Sequence, residues 1–95
     1  MKPRITMSVR EDGEFELWIN QEGRDLLVRA LLALNEENDH LHLMPHAWWP
    51  GADLNVSLRP YRTTDKIIST GKILFRTDEW DQEYFPHVLR EDVVE

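Results

Sequence analysis

The chain has 95 residues, of which 41% are hydrophobic, with a net charge of −7 and no cysteine. This length predicts a single domain over residues 1–95, and the missing cysteines exclude disulfide bridges and thiolate chemistry. The charge argues against nucleic acid or an anionic membrane as a partner, since phosphates repel an acidic surface.

The compartment is predicted from the same features. No apolar stretch approaches the roughly 20 residues that span a bilayer, and no apolar run follows the basic residues near the N-terminus, as a signal peptide would require. Small secreted domains usually carry disulfides, so we expect a cytoplasmic protein.

Residues 5–19 predict a β-hairpin in which apolar residues alternate with polar ones. Placing the apolar residues opposite each other gives partners whose numbers sum to 24. The pairs are Val9 with Phe15, Met7 with Leu17, and Ile5 with Ile19. The loop then centres on Asp12 and holds three residues, which predicts a type I turn with Gly13 in a left-handed conformation.

A helix is predicted over residues 21–35, with Asn20 as its N-cap. Apolar residues cover most of its circumference, so we expect it to be buried on more than one side. The polar segment Asn35-Glu36-Glu37-Asn38 ends it.

The next strand, residues 39–44, alternates leucine with histidine. Leu41 and Leu43 should enter the core, while His40 and His42 project from the opposite face. A turn-rich loop with Trp48 and Trp49 follows.

Two further strands complete the predicted sheet. One covers about 54–59, with Leu54, Val56 and Leu58 inward, and the other lies within 66–76, where Gly71 indicates a bulge or a break. The order ββαβββ predicts an α+β fold in which one antiparallel sheet carries the long helix on one face.

Several residues are candidates for a partner-binding surface. Exposed tryptophans bury a large area with few torsions to freeze, so Trp48 and Trp49 suggest a recognition loop, with one ring packed and the other partly exposed. Trp18 falls on the hairpin face opposite Phe15 and Leu17, where it meets solvent, a partner or the tail. The remaining candidates are His40, His42, Asp78, Glu79 and Asp81.

The charge is unevenly distributed. Residues 1–58 have five Lys/Arg and ten Asp/Glu, residues 59–77 have five and one, and residues 78–95 have one and seven. The acidic tail either lies over the basic segment, or offers a surface to a basic partner, or is a solvated face.

Catalysis and metal binding have weaker support. The sequence contains no glycine-rich phosphate loop, Ser/His/Asp arrangement or nucleophile elbow, so we expect neither an enzyme nor a bound cofactor. The alternative is a small metal-binding protein or enzyme that uses His40, His42 and His46, since the first two project from one strand face.

From the end of the helix to the late strand, about residues 30–76, the chain resembles the immunity protein 32 family, predicted partners of bacterial polymorphic toxins. The resemblance rests on Asp39-His40-Leu41-His42-Leu43-Met44, a tryptophan at Trp48 or Trp49, Gly51, Asp53-Leu54, and Lys66-Ile67-Ile68. The chain departs from the family in its doubled tryptophan with proline and in Ser69-Thr70-Gly71.

The resemblance implies a non-catalytic protein that neutralises a toxin by binding it. A basic nuclease would suit the acidic surface, since charge complementarity speeds encounter. A homo-oligomerising module is the other alternative, in which the apolar helix or an uncovered sheet edge forms a homodimer.

Overall fold

The computed structural model describes residues 2–90 and has an α+β architecture, as predicted. The strands are β1 (Ile5–Val9), β2 (Phe15–Ile19), β3 (His40–Met44), β4 (Leu54–Asn55), β5 (Lys66–Ile67) and β6 (Gly71–Leu74). The helices are α1 (Gln21–Leu32) and α2 (Asp78–Tyr84), and a 3₁₀ turn follows at Pro86–Leu89. No helix within residues 2–90 is long and apolar enough to cross a membrane.

The hairpin register is confirmed. β1 and β2 are antiparallel, and their partners sum to 24 along the whole pairing. Arg10 N donates to Glu14 O at 2.8 Å, and Gly13 N donates to Arg10 O at 2.9 Å, which closes the turn. Gly13 has a φ of 91°, a conformation that glycine adopts without a Cβ clash.

The prediction of one antiparallel sheet is wrong. Two three-stranded sheets form, in the orders β2-β1-β5 and β4-β3-β6, and β3 and β4 run parallel. The predicted last strand breaks before Gly71, so that β5 joins β1 and β6 joins β3. Because β5 and β6 pair with different central strands, the two ladders belong to separate sheets.

The two sheets meet along the edge of β1 that faces away from β2. Ser57, just after β4, donates its N–H to Ile5 O at 2.7 Å, and Ile68 donates to Met7 O at 2.9 Å. Both sheets contribute to the buried apolar core, and Leu26, Leu27 and Ala30 of α1 pack against it. The core consists of Ile5, Met7, Leu41, Leu43, Leu54 and Val56.

Helix α1 begins as predicted and ends earlier. Asn20 Oδ1 accepts from Gly23 N at 2.7 Å and from Arg4 N at 2.9 Å, so the N-cap also ties the helix to the start of β1. The helix ends at Leu32 rather than at residue 35. Asn35 Oδ1 accepts from the N–H groups of Glu37 and Asn38, a local turn that competes with further helix.

The burial predicted for several apolar side chains is wrong. Leu58 is exposed rather than inward, and one side of α1 remains exposed at Val28, Leu31 and Leu32. Apolar periodicity indicates which residues share a side of an element, but another element must cover that side before it is buried.

A candidate protein-binding surface

The outer face of β3 carries His40 and His42, as the alternation predicted. Leu41 and Leu43 are buried on the other face. The two imidazole rings meet edge to face with 4.9 Å between their centroids. The main-chain N–H of His42 donates to Asp53 Oδ2 at 2.7 Å. Asp53 immediately precedes β4, so its carboxylate bonds to β3 just before the pairing of the two strands begins.

The loop after β3 brings one tryptophan ring onto this face. Trp49 lies 5.6 Å from the His42 ring, centroid to centroid. The Asn55 side-chain amide donates to Trp49 O at 3.0 Å and to Met44 O at 3.1 Å, which joins the loop to the end of the strand. Trp48 and Trp49 are 60% and 43% exposed, so neither is buried in the core.

An ion pair extends the surface beyond His40. His40 Nδ1 lies 2.7 Å from Asp39 Oδ1, and an Arg76 guanidinium nitrogen lies 3.0 Å from Asp39 Oδ2. Phe75 N donates to Asp39 O at 2.7 Å, which fixes the end of β6 beside the start of β3. The hydrogen bond with His40 lowers the pKa of the Asp39 carboxyl; desolvation opposes this effect, and the charge of Arg76 adds a smaller lowering.

Arg76 connects this pair to a second tryptophan. Its guanidinium carbon lies 4.6 Å from the centre of the Trp80 ring, a cation–π arrangement. A cavity of about 100 Å³ lies beside this contact and is lined by Glu36, Asp39, Phe75, Arg76, Thr77 and Trp80.

These contacts form one continuous surface. We call it the His–Trp strip, and it consists of Trp49, His42, His40, Asp39, Arg76 and Trp80. Aromatic rings at both ends supply apolar area, and the charges between them supply directional contacts. This chemistry suits recognition of a protein surface, where aromatic residues and arginine are enriched.

The acidic candidates lie next to one end of the strip. Asp78, Glu79 and Asp81 belong to the first turn of α2, where carboxylates interact favourably with the positive end of the helix dipole. Thr77 caps this helix by accepting from Trp80 N at 3.2 Å. Their position therefore has a structural reason as well as a potential binding role.

Two arginines of the basic segment pair with carboxylates outside residues 78–90: Arg62 with Glu16 and Asp65, and Arg76 with Asp39. The end of the acidic tail, residues 91–95, lies outside the described residues.

Trp18 does not belong to the strip. Its ring is partly buried, because the chain after β4 covers part of its face of the hairpin. Its ring stacks on Tyr61, with centroids 4.1 Å apart and planes 10° apart, and the Arg62 guanidinium carbon lies 5.3 Å from its centre. Arg62 also pairs with Glu16 on the same face.

The three histidines of the predicted metal site do not come together. His46 lines a different cavity, with Lys2, Pro3, Leu26, Ala52, Asp53 and Asn55. Among residues 2–90, no three His, Cys, Asp or Glu side chains are placed to hold a metal ion.

The sequence reasoning missed Asp39, Arg76 and Trp80 as site residues. Asp39 and Arg76 flank the ends of two strands that lie far apart in the sequence. Their proximity depends on the pairing of His40 with Leu74, which a strand pattern does not specify. The usable signal was an aromatic residue, Trp80, four positions after the arginine that follows the last strand.

No protein-family model, curated protein or solved structure matches the chain. The resemblance to the immunity protein 32 family therefore stays a prediction from the sequence.

Proposed function

We propose that this protein is a non-catalytic binding protein that neutralises a bacterial toxin by covering part of its surface with the His–Trp strip. The toxin is the partner that the family resemblance implies. The observation that carries the proposal is the unbroken series of contacts from Trp49 to Trp80, which places anchoring groups next to one another.

The tryptophans supply the binding energy in this proposal. Trp48 is the more exposed of the two loop tryptophans. Trp49 is held against His42, so its ring loses little side-chain freedom when a partner covers it. A partner pocket that closes over either ring would exclude water from an interface anchor.

The charges supply orientation. Asp78, Glu79 and Asp81 border the strip at the Trp80 end, and the whole chain carries a charge of −7. A basic partner such as a nuclease would be attracted to this end, and the attraction would weaken with added salt.

Co-production with a candidate toxin tests the proposal. The toxin domain encoded next to this gene is produced in bacteria with and without the protein, and growth is followed. We expect wild-type protein to restore growth and Trp49→Ala to restore it poorly. In calorimetry, Trp49→Ala should weaken binding by about 30-fold or more, which corresponds to roughly 2 kcal/mol.

Leu32→Ala is the matched control, since it truncates an exposed apolar side chain on α1, outside the strip. Equal rescue by wild type and Trp49→Ala would remove the strip as the contact surface. A gene neighbourhood without a toxin, or the absence of rescue by wild-type protein, would contradict the toxin-binding role itself.

A further inference from the structure

β2 is the outer strand of its sheet, with no strand beyond it among residues 2–90. Arg10 bonds to Glu14, and Asn20 N donates to Arg4 O, so even-numbered residues of β2 bond to β1. Hydrogen-bonded pairs alternate along an antiparallel ladder. The main-chain N–H and C=O groups of Phe15, Leu17 and Ile19 therefore point outward, where another strand could bond to them.

The same three residues expose apolar side chains. Phe15, Leu17 and Ile19 are 54%, 44% and 39% exposed, although they share a face with the buried Ile5 and Met7. Beside them, an apolar cavity of about 350 Å³ opens between Phe15, Leu17, Leu27 and Ile73, with core residues as its floor. Helix α1 reaches this cavity but leaves the edge strand uncovered.

The usual protection of an edge strand is missing from β2. Its sequence, Phe-Glu-Leu-Trp-Ile, has no proline and no lysine, and its regular pairing with β1 contains no bulge. Natural sheets use these features to prevent edge-to-edge association. Its one charged residue, Glu16, is on the opposite face and is held by Arg62.

The strand is complementary to itself. In an antiparallel pairing centred on Leu17, Leu17 faces its own copy, and Phe15 faces Ile19 of the second copy. Only outward-pointing N–H and C=O groups meet, and they form six hydrogen bonds about the two-fold axis. On the other face, Glu16 lies opposite Trp18, so like charges are not placed directly against each other.

We propose that the protein forms a two-fold symmetric homodimer in which β2 of each copy pairs antiparallel with β2 of the other, with Leu17 at the axis. The two sheets become one six-stranded sheet in the order β5-β1-β2-β2-β1-β5. Each apolar edge residue then gains an apolar cross-strand neighbour, which is the isologous arrangement of most homodimers.

The dimer does not depend on the proposed toxin binding. The His–Trp strip lies on the β4-β3-β6 sheet, so it stays free in both copies. Such a pairing would cover on the order of 600 Å² per copy, toward the small end of stable interfaces, so we expect dissociation in the micromolar range.

Sedimentation of the full chain at 1–200 µM tests the dimer, with concentrations chosen to bracket that range. We expect a monomer–dimer equilibrium for wild type, and at least about 100-fold weaker association for Leu17→Lys, because two lysines would meet at the axis. Leu32→Lys, which places the same charge on α1, should associate like wild type. A monomer throughout the range, or equal weakening by both variants, would overturn the proposal.

Cysteine cross-linking tests the register and tolerates a weak dimer. The chain has no cysteine, so an introduced cysteine is the only thiol in each copy, and any disulfide must form between two introduced cysteines. Paired Leu17 Cα atoms should lie about 5.5 Å apart, within disulfide reach, whereas the two Phe15 Cα atoms should lie about 14 Å apart.

Leu17→Cys should therefore form a disulfide dimer under mild oxidation, and Phe15→Cys should not. A mixture of Phe15→Cys and Ile19→Cys should give the mixed dimer. If Leu17→Cys stays monomeric, or if Phe15→Cys cross-links to itself as readily, the two-fold pairing at Leu17 is wrong.

Discussion

β1 and β3 are each the central strand of a three-stranded sheet, but they differ in the burial of the face that points away from the apolar core. In β1 both faces are buried, since Thr6 and Ser8 are as inaccessible as Ile5 and Met7. In β3 only the face of Leu41 and Leu43 is buried. The segment with Tyr61 and Arg62 covers the hairpin that contains β1, whereas no segment within residues 2–90 covers His40 in the same way.

The comparison shows that alternation alone does not decide which polar face is available for binding. The hydroxyls of Thr6 and Ser8 are buried without a protein hydrogen-bond partner, as is the indole N–H of Trp18. Buried polar atoms of this kind usually bind ordered water. The covered face is therefore closed to a partner, whereas the outer face of β3 remains accessible to solvent.

The largest expected effect concerns the shared core. Leu43→Ala should lower the free energy of unfolding by about 2–5 kcal/mol, because it removes a buried side chain and leaves a cavity. Urea denaturation measures this.

The control for that variant lies on the other face of the same sheet. Leu74 is 59% exposed, so Leu74→Ala should change stability by less than about 0.5 kcal/mol. A large loss for Leu74→Ala with a small one for Leu43→Ala would mean that the two faces of this sheet are reversed.

Trp18 lies on the covered face of the hairpin and Trp49 beside the uncovered face of β3, so replacing each of them tests the comparison. Trp18→Ala should cost roughly 2–4 kcal/mol, because it removes the ring that stacks between the hairpin and Tyr61. Trp49→Ala should cost less than about 1 kcal/mol, since its ring meets His42 at the surface. Thermal and urea unfolding measure the stability of both variants. Equal losses of stability would remove the distinction between a covered and an uncovered face.

Replacing Arg62 tests whether its ion pairs stabilise the segment that covers the hairpin. Its Nε lies 3.3 Å from Asp65 Oδ1, and the Asp65 side chain is only 1% exposed. Arg62→Met should cost about 1–3 kcal/mol, because a buried carboxylate loses its cation while much of the apolar stem remains.

The matched control for Arg62 is Arg24→Met, which breaks an exposed ion pair with Asp25. We expect its effect to be below about 0.5 kcal/mol in the same denaturation experiment. Similar losses for the two variants would show that the carboxylate of Asp65 does not need Arg62.

The smallest expected effect is the acid sensitivity of the uncovered face. The folded pKa of Asp39 lies below its ordinary value of 3.8, because its charged form is bonded to His40 and Arg76. Its stabilising contribution is therefore complete above pH 3.8 and is lost as the pH falls through the folded value.

Urea midpoints between about pH 3 and pH 6 measure this contribution. Stability of wild type should fall more steeply with acid than that of Asp39→Asn, because the variant has no carboxyl to protonate. Parallel curves for the two proteins would mean that the pairs with His40 and Arg76 do not favour the folded state.

Local features were predictable where they depend on neighbouring residues. The hairpin register follows from the spacing of its apolar residues around Gly13, and the N-cap follows from the side chain of Asn20 at the helix start. The inward leucines of β3 follow from the two-residue period of a strand. These features involve residues close in sequence, so the chain itself specifies them.

The division into two sheets, the parallel pairing of β4, and the covering of Trp18 were decided by tertiary structure. Each depends on where a distant segment lies: β6 beside β3, Ser57 beside Ile5, and Tyr61 over Trp18. The alternation of a strand specifies which side chains share a face. Only the packing of distant segments decides whether that face is buried, because burial requires a second surface to exclude the water.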